Sequence, residues 1–121
     1  MKALIVDDNF TCKLLLQKLL LKYGETTIAS TGKEAVDAFS YALVVKEPFD
    51  LICLDIMMPD MDGQEALKLI RALEDTEGRR GENSVKVIMV SALGSKKDIM
   101  EAFKSQCDAY LVKPINATEL R

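Results

Sequence analysis

Four apolar runs in this chain each stop on a particular polar residue, and few chain architectures accommodate that pattern. Ala3-Leu4-Ile5-Val6 stops at Asp7-Asp8, and Leu51-Ile52-Cys53-Leu54 stops at Asp55. Val87-Ile88-Met89-Val90 stops at Ser91, and Ala109-Tyr110-Leu111-Val112 stops at Lys113-Pro114. Short apolar runs without alternation, separated by helix-like stretches, read as strands buried on both faces of a parallel sheet. Parallel strands present all their carboxyl ends on one edge, where open α/β sheets place their ligand sites. Three acids, a hydroxyl and an ammonium therefore converge in one crevice.

A length of 121 residues fits one domain, spanning residues 1–121. No apolar run approaches the roughly 18 residues of a membrane span. The most apolar stretch, Leu14 to Leu21, is interrupted by Gln17 and Lys18 and reads as an amphipathic helix. Met1-Lys2 leads directly into a strand, so no signal peptide is expected. Cys12, Cys53 and Cys107 fall in different elements with neither a disulfide framework nor metal-ligand spacing, which points to a reducing, cytoplasmic setting. The net charge of -3 offers no basic footprint for nucleic acid. The chain has no His, which removes His-dependent triads, His-ligated zinc and phosphohistidine carriers.

A helix start follows each strand. Asn9 is placed to cap a helix with the stripe Cys12, Leu15, Leu16, Leu19, Leu20 and Tyr23, stopped by Gly24. Thr26 to Ala29 is a short, weak strand. Thr31 and Glu34 have capping-box spacing and open a helix to about Lys46, ended by Pro48. Asp62 with Glu65 opens a helix buried through Ala66, Leu67, Ile70 and Leu73. Ser95 caps another with Ile99, Ala102 and Phe103 inward, and Asn116 with Glu119 starts the last. Glu74 to Ser84 is polar and Gly-punctuated, a solvated loop by composition. The chain thus reads as five βα units.

An Asp after a strand is commonly a turn former or N-cap. Three at one sheet edge are different, because like charges held close raise one another's pKa and oppose folding unless a cation neutralises them. Oxygen-only ligands select a hard ion, and Mg2+ is the usual choice where a phosphate joins the shell. Lys113 is placed to reach a carboxylate or a phosphoryl oxygen, with Pro114 fixing the backbone behind it.

Asp7-Asp8, the run from Leu54-Asp55 to Pro59-Asp60-Met61-Asp62-Gly63, Val90-Ser91-Ala92 and Tyr110-Leu111-Val112-Lys113-Pro114 together resemble the receiver domains of two-component response regulators. The resemblance implies a flavodoxin-like, doubly wound five-stranded parallel sheet of order 2-1-3-4-5. It also implies that Asp55 accepts a phosphoryl group from a sensor histidine kinase or phosphotransfer protein. Asp8, Asp55 and the main-chain carbonyl of Met57 would bind Mg2+, with Mn2+ as a substitute, and Asp7 would act through water. Lys113 and Ser91 would contact the phosphoryl group. Tyr110 sits at the family's aromatic switch position, whose ring moves inward as Ser91 turns, altering the surface offered to a downstream effector or a fused output domain.

Two features depart from the family's pattern. Met57 and Leu93 are apolar where the family tunes water access, so slow self-dephosphorylation is expected. Arg121 comes about a turn and a half into the last helix, which implies a shortened helix or an excised domain, and apolar surface free for homodimer formation. Two other readings compete with a phosphorylation switch. A phosphorylation-independent interaction module would lack one of the acids, the Lys or the hydroxyl, and none is missing. Phosphatases of the haloacid dehalogenase type need a second Asp two residues after the nucleophile, where this chain has Met57.

Overall fold

The computed structural model describes residues 1–56, 61–79, 84–92 and 94–113. In chain order they form β1 (Lys2–Val6), α1 (Phe10–Leu21), β2 (Glu25–Ala29), α2 (Gly32–Val44), β3 (Leu51–Leu54), α3 (Gly63–Thr76), β4 (Lys86–Ser91), α4 (Lys96–Lys104) and β5 (Ala109–Val112). All strand pairs are parallel and the sheet runs β2-β1-β3-β4-β5. This is the doubly wound, flavodoxin-like order. Residues 114–121, with the start of the expected fifth helix and its shortened end, lie outside the described residues.

The unbroken apolar runs are explained by burial on both faces. Alternate residues of β1, β3 and β4 point to opposite layers. Leu4, Val6, Ile52, Leu54, Val87 and Met89 join α2, α3 and α4 in one core through Phe39, Leu67, Ile70 and Ala102. Ala3, Ile5, Cys53 and Val90 meet Cys12, Leu16 and Leu20 of α1 in the other. β2 is weak in sequence because it is the sheet edge, with only Ala29 buried.

Each of the four helices is opened by the residue expected to cap it. Asn9, Thr31, Asp62 and Ser95 accept from the amides of Cys12, Glu34, Glu65 and Asp98. These bonds satisfy amides that the first turn leaves without partners.

Several details differ from the sequence reading. Along α1 only Cys12, Leu16 and Leu20 are buried, and Leu15 and Tyr23 are 38% and 48% exposed. The line 12-16-20 meets the sheet, and a turn of ~100° per residue carries Leu15 off it. α2 ends at Val44 rather than Lys46, because Lys46 turns left-handed at φ 62°. On α4, Ala102 is the buried contact and Ile99 is half-buried. Phe103, expected inward, is 48% exposed one residue past that contact line. α3 extends to Thr76 and absorbs Glu74, which the polar-loop reading placed in solvent. Glu74 is 1% exposed, pairs with Arg71 Nη1 at 2.6 Å and accepts from the Val85 amide at 2.6 Å.

Candidate functional site: an acid crevice at the carboxyl edge of the sheet

Strand register brings the chemistry-bearing residues to one place. Val6 pairs with Leu54, so Asp7 and Asp55 follow at the same level on adjacent strands. Ser91 pairs with Val112, so Lys113 follows one step beyond. Hydrogen bonds of the sheet continue past the strand ends and anchor these residues. The Asp55 amide donates to Val6 O at 2.9 Å, Asp7 to Ala29 O at 3.2 Å and Lys113 to Ser91 O at 2.8 Å.

Behind Asp55 the start of α3 approaches the strand end so closely that only glycine fits at position 63. Gly63 donates to Ile56 O at 2.9 Å, and a Cβ there would lie 2.2 Å from Asp55 O. α3 therefore begins against the backbone of the acid itself. Gly32 at the start of α2 is similarly confined, since its Cβ would lie 2.7 Å from Met61 O. Two helix starts thus close on described backbone near the acid, one on Asp55 and one on Met61.

Asp7, Asp8 and Asp55 each bring an oxygen to within 4.8 Å of the other two. Asp7 and Asp55 are buried, at 1% and 4% exposure, and Asp8 faces solvent. Lys113 Nζ lies 2.9 Å from Asp7 Oδ2 and 3.3 Å from Asp55 Oδ2. Burial alone would lower the lysine pKa, but hydrogen bonding with Asp7 and the charges of Asp55 and Asp7 outweigh it and hold the ammonium above its ordinary value. One ammonium thus faces three carboxylates, leaving the crevice acidic. The donor set is all oxygen, and Asp7 Oδ2 is buried with Lys113 Nζ as its partner. Such a set fits a hard divalent cation.

Ser91, fully buried, ends the central strand on the same edge. It is hydrogen-bonded to Tyr110, which is half-buried against the α4-side core. Burial pushes the Tyr110 hydroxyl above its ordinary pKa, while the Ser91 bond pulls the other way. The hydroxyl and the aromatic residue singled out in the sequence therefore stand on adjacent strands and influence each other.

Of the residues proposed from sequence, the structure brings together Asp7, Asp8, Asp55, Ser91, Lys113 and Tyr110. Met57, expected to contribute a carbonyl, lies outside the described residues, as do Leu93 and Pro114. Two contributors escaped the sequence reading. Asn9 was recognised as a cap, yet its own amide also donates to Asp7 Oδ1 at 2.8 Å. Cys12 was read only as core, yet burial and the neighbouring Asp7 push its thiol pKa up to about 12. Its place four residues after Asp8 was the one available signal.

The comparisons agree with this geometry. The family model described as "Response regulator receiver domain" matches residues 3–121. Sporulation initiation phosphotransferase F of Bacillus subtilis (strain 168) is 32% identical over 99% of this chain and 87% of its own length. Sensor protein GacS of Pseudomonas syringae pv. syringae is 36% identical over 98% of this chain but only 12% of its own. The first relatives matched are longer proteins of which this chain spans 6% to 18%. Among solved structures, the receiver domain of the histidine kinase CKI1 from Arabidopsis thaliana, complexed with Mg2+ and BeF3-, superposes with a TM-score of 0.85. It is 33% identical, over 99% of this chain and 87% of that one. With five parallel strands in this order, an acid trio on their carboxyl edge and a family match across nearly its whole length, the chain belongs to the response regulator receiver domain family.

Proposed function

We propose that residues 1–121 act as one receiver unit, in which Asp55 accepts a phosphoryl group from a sensor histidine kinase or phosphotransfer protein. The observation that carries this reading is a three-acid cluster, its oxygens within 4.8 Å, bridged on its inner side by the Lys113 ammonium. In the transfer, an Asp55 carboxylate oxygen attacks phosphorus while the bond from phosphorus to the donor's imidazole nitrogen breaks. The electron pair leaves with the imidazole, and an acyl phosphate remains on Asp55. Phosphoryl transfer depends on positioning and charge neutralisation more than on covalent help. The sheet register positions Asp55, and Lys113 is already held between Asp7 and Asp55, ready to follow the new negative charge. Asp8 and Asp55, with the Met57 carbonyl and with Asp7 acting through water, would hold Mg2+, or Mn2+ in its place. When bound, that ion supplies the positive charge that three carboxylates and a phosphoryl group require.

Ser91 would exchange its bond with Tyr110 for one to a phosphoryl oxygen. That exchange frees the Tyr110 ring to shift and biases the adjoining surface between two arrangements. The changed surface would recruit a downstream effector or a fused output domain. The chain works as a switch whose turnover is confined to its own aspartyl phosphate, with slow hydrolysis following from apolar Met57 and Leu93. Incubation with acetyl phosphate and Mg2+ should add one phosphoryl group by intact mass, and Asp55→Asn should add none. Phosphorylation persisting in that variant, or mapping to another residue, would remove Asp55 from the role.

A further inference from the structure

A buried amide at the start of α3 has no role in the chemistry of the crevice. Gln64, in the first turn of that helix, is 8% exposed, and its Oε1 is buried with no hydrogen-bond donor among the described residues. Its neighbours set its position. Gly63 donates to Ile56 O at 2.9 Å, which seats the start of α3 on the end of β3. Leu54 pairs with Met89, and that register, continued two residues, puts Ile56 level with Ser91. Gln64 therefore begins at the height of Ser91. Its side of the helix is shared with Lys68 and Arg71, one and two turns later. With Asp75 they line a groove whose other wall holds Glu101 and Lys104 of α4. The Gln64 amide thus lies on the α4 side of α3, near the carboxyl end of β4. Ser91 and Tyr110 belong to the same side of the sheet. Met89, two residues before Ser91 and the register partner of Tyr110, joins that core, and Tyr110 packs against it.

We propose that Gln64 is a positioning residue for the switch, its Oε1 accepting the Tyr110 hydroxyl when the ring moves inward. A tyrosine hydroxyl carried into a packed interior needs a partner. Ser91, once turned toward a phosphoryl oxygen, no longer supplies one. Gln64 offers an acceptor on the same side of the sheet, with no donor of its own to displace. The unpaired oxygen disfavours the resting arrangement and the new bond favours the switched one. A single amide therefore acts on the equilibrium in one direction.

The inference rests on the phosphorylation reading and is tested by calorimetric titration of the whole chain with beryllofluoride in Mg2+, a stand-in for the phosphoryl group. Gln64→Leu and Gln64→Met, which lack the acceptor, should each bind beryllofluoride about 10-fold more weakly, within the usual span of coupling between two sites. Tyr110→Phe should lose as much. Gln64→Leu combined with Tyr110→Phe should lose no more than either alone, because both remove the same bond. Mg2+ affinity without beryllofluoride should be unchanged throughout. Gln64→Leu should also melt at or above the unmodified chain, since a buried acceptor without a donor is gone. Unchanged beryllofluoride affinity in both Gln64→Leu and Gln64→Met would overturn the proposal. So would losses that multiply in the double variant, or a matching loss of Mg2+ affinity, which would place the effect in the acid crevice. A lower melting temperature for Gln64→Leu would show the amide already paired at rest, and would overturn it too. If the unmodified chain bound Mg2+ but no beryllofluoride, the phosphorylation reading itself would fall and the role of Gln64 with it.

Discussion

At the scale of single residues, the least expected arrangement is a buried charge far from the crevice. Arg71 reaches across from α3 to bond Glu74 Oε1, the carbonyls of Val85 and Gln106, and Asp108 Oδ2. Asp108 in turn accepts from the Val87 amide at 2.8 Å, and Glu74 from the Val85 amide at 2.6 Å. One guanidinium thus ties α3 to the entry of β4 and to the turn before β5, where Gln106 takes a left-handed φ of 73°. Removing Glu74 takes from the guanidinium its shortest and most buried partner and leaves the buried Val85 amide without its acceptor. Glu74→Ala should therefore cost about 3–5 kcal/mol in urea unfolding, whereas Glu77→Ala, on an exposed residue, should fall within about 0.5 kcal/mol. A loss below about 1 kcal/mol for Glu74→Ala would show that the network contributes little. No sequence pattern announces this. Glu74 lies in a stretch whose composition is that of a loop, and its main partner is a backbone amide eleven residues further on. Asp7, Asp55 and Lys113 were legible because each follows an apolar run, which fixes its place on the sheet edge.

At the scale of elements, strands and caps were readable for different reasons. The central strands lack alternation because both faces are covered, and four of the helix starts carry a side chain suited to an orphan amide. Helix faces were harder, because an apolar residue at i+3 or i+4 from a core position does not always face inward. α4 shows the ambiguity: Ala102 is fully buried, and the much larger Phe103 beside it stands 48% exposed. Size and hydrophobicity favoured Phe103 for the core, and the geometry of the contact line chose Ala102. The contrast can be measured. Phe39 on α2 is 1% exposed, so Phe39→Ala should cost about 3–5 kcal/mol, transfer and cavity terms together. Phe103→Ala should cost far less, about 0.5 kcal/mol, because much of its ring is already in water. Denaturant midpoints with a common slope would decide it, and comparable losses for the two would place Phe103 in the core after all.

At the scale of the molecule, the crevice and the core behind it link ionisation to folding. Burial pushes the Cys53 thiol from 9.0 up to about 12, and burial with the nearby Asp7 does the same for Cys12. An acid whose folded pKa is raised keeps its proton in the native state while the unfolded chain loses it. Stability is then intact below pH 9 and declines as pH rises toward 12. Lys113, held above its ordinary 10.5 by two carboxylates, adds to the same alkaline loss. The melting temperature should be nearly flat from neutral pH to about 9 and then fall, less steeply in Cys53→Ala than in the unmodified chain.

A cation acts on the same balance in the opposite direction. The folded chain gathers three carboxylates within 4.8 Å, which an unfolded chain cannot hold together, so an ion filling that cluster binds the native state alone. At 100 times its dissociation constant such an ion stabilises by about 2.7 kcal/mol, equivalent to a rise in melting temperature of about 10 °C for a domain of this size. Asp8 is the exposed member of the trio, and its removal leaves the core intact. Asp8→Asn should therefore melt at or above the starting protein without Mg2+, since one of three like charges is gone, and should lose most of the Mg2+-dependent rise. A full rise retained in Asp8→Asn would mean that the ion binds elsewhere on the surface, and the acid crevice would no longer account for the effect.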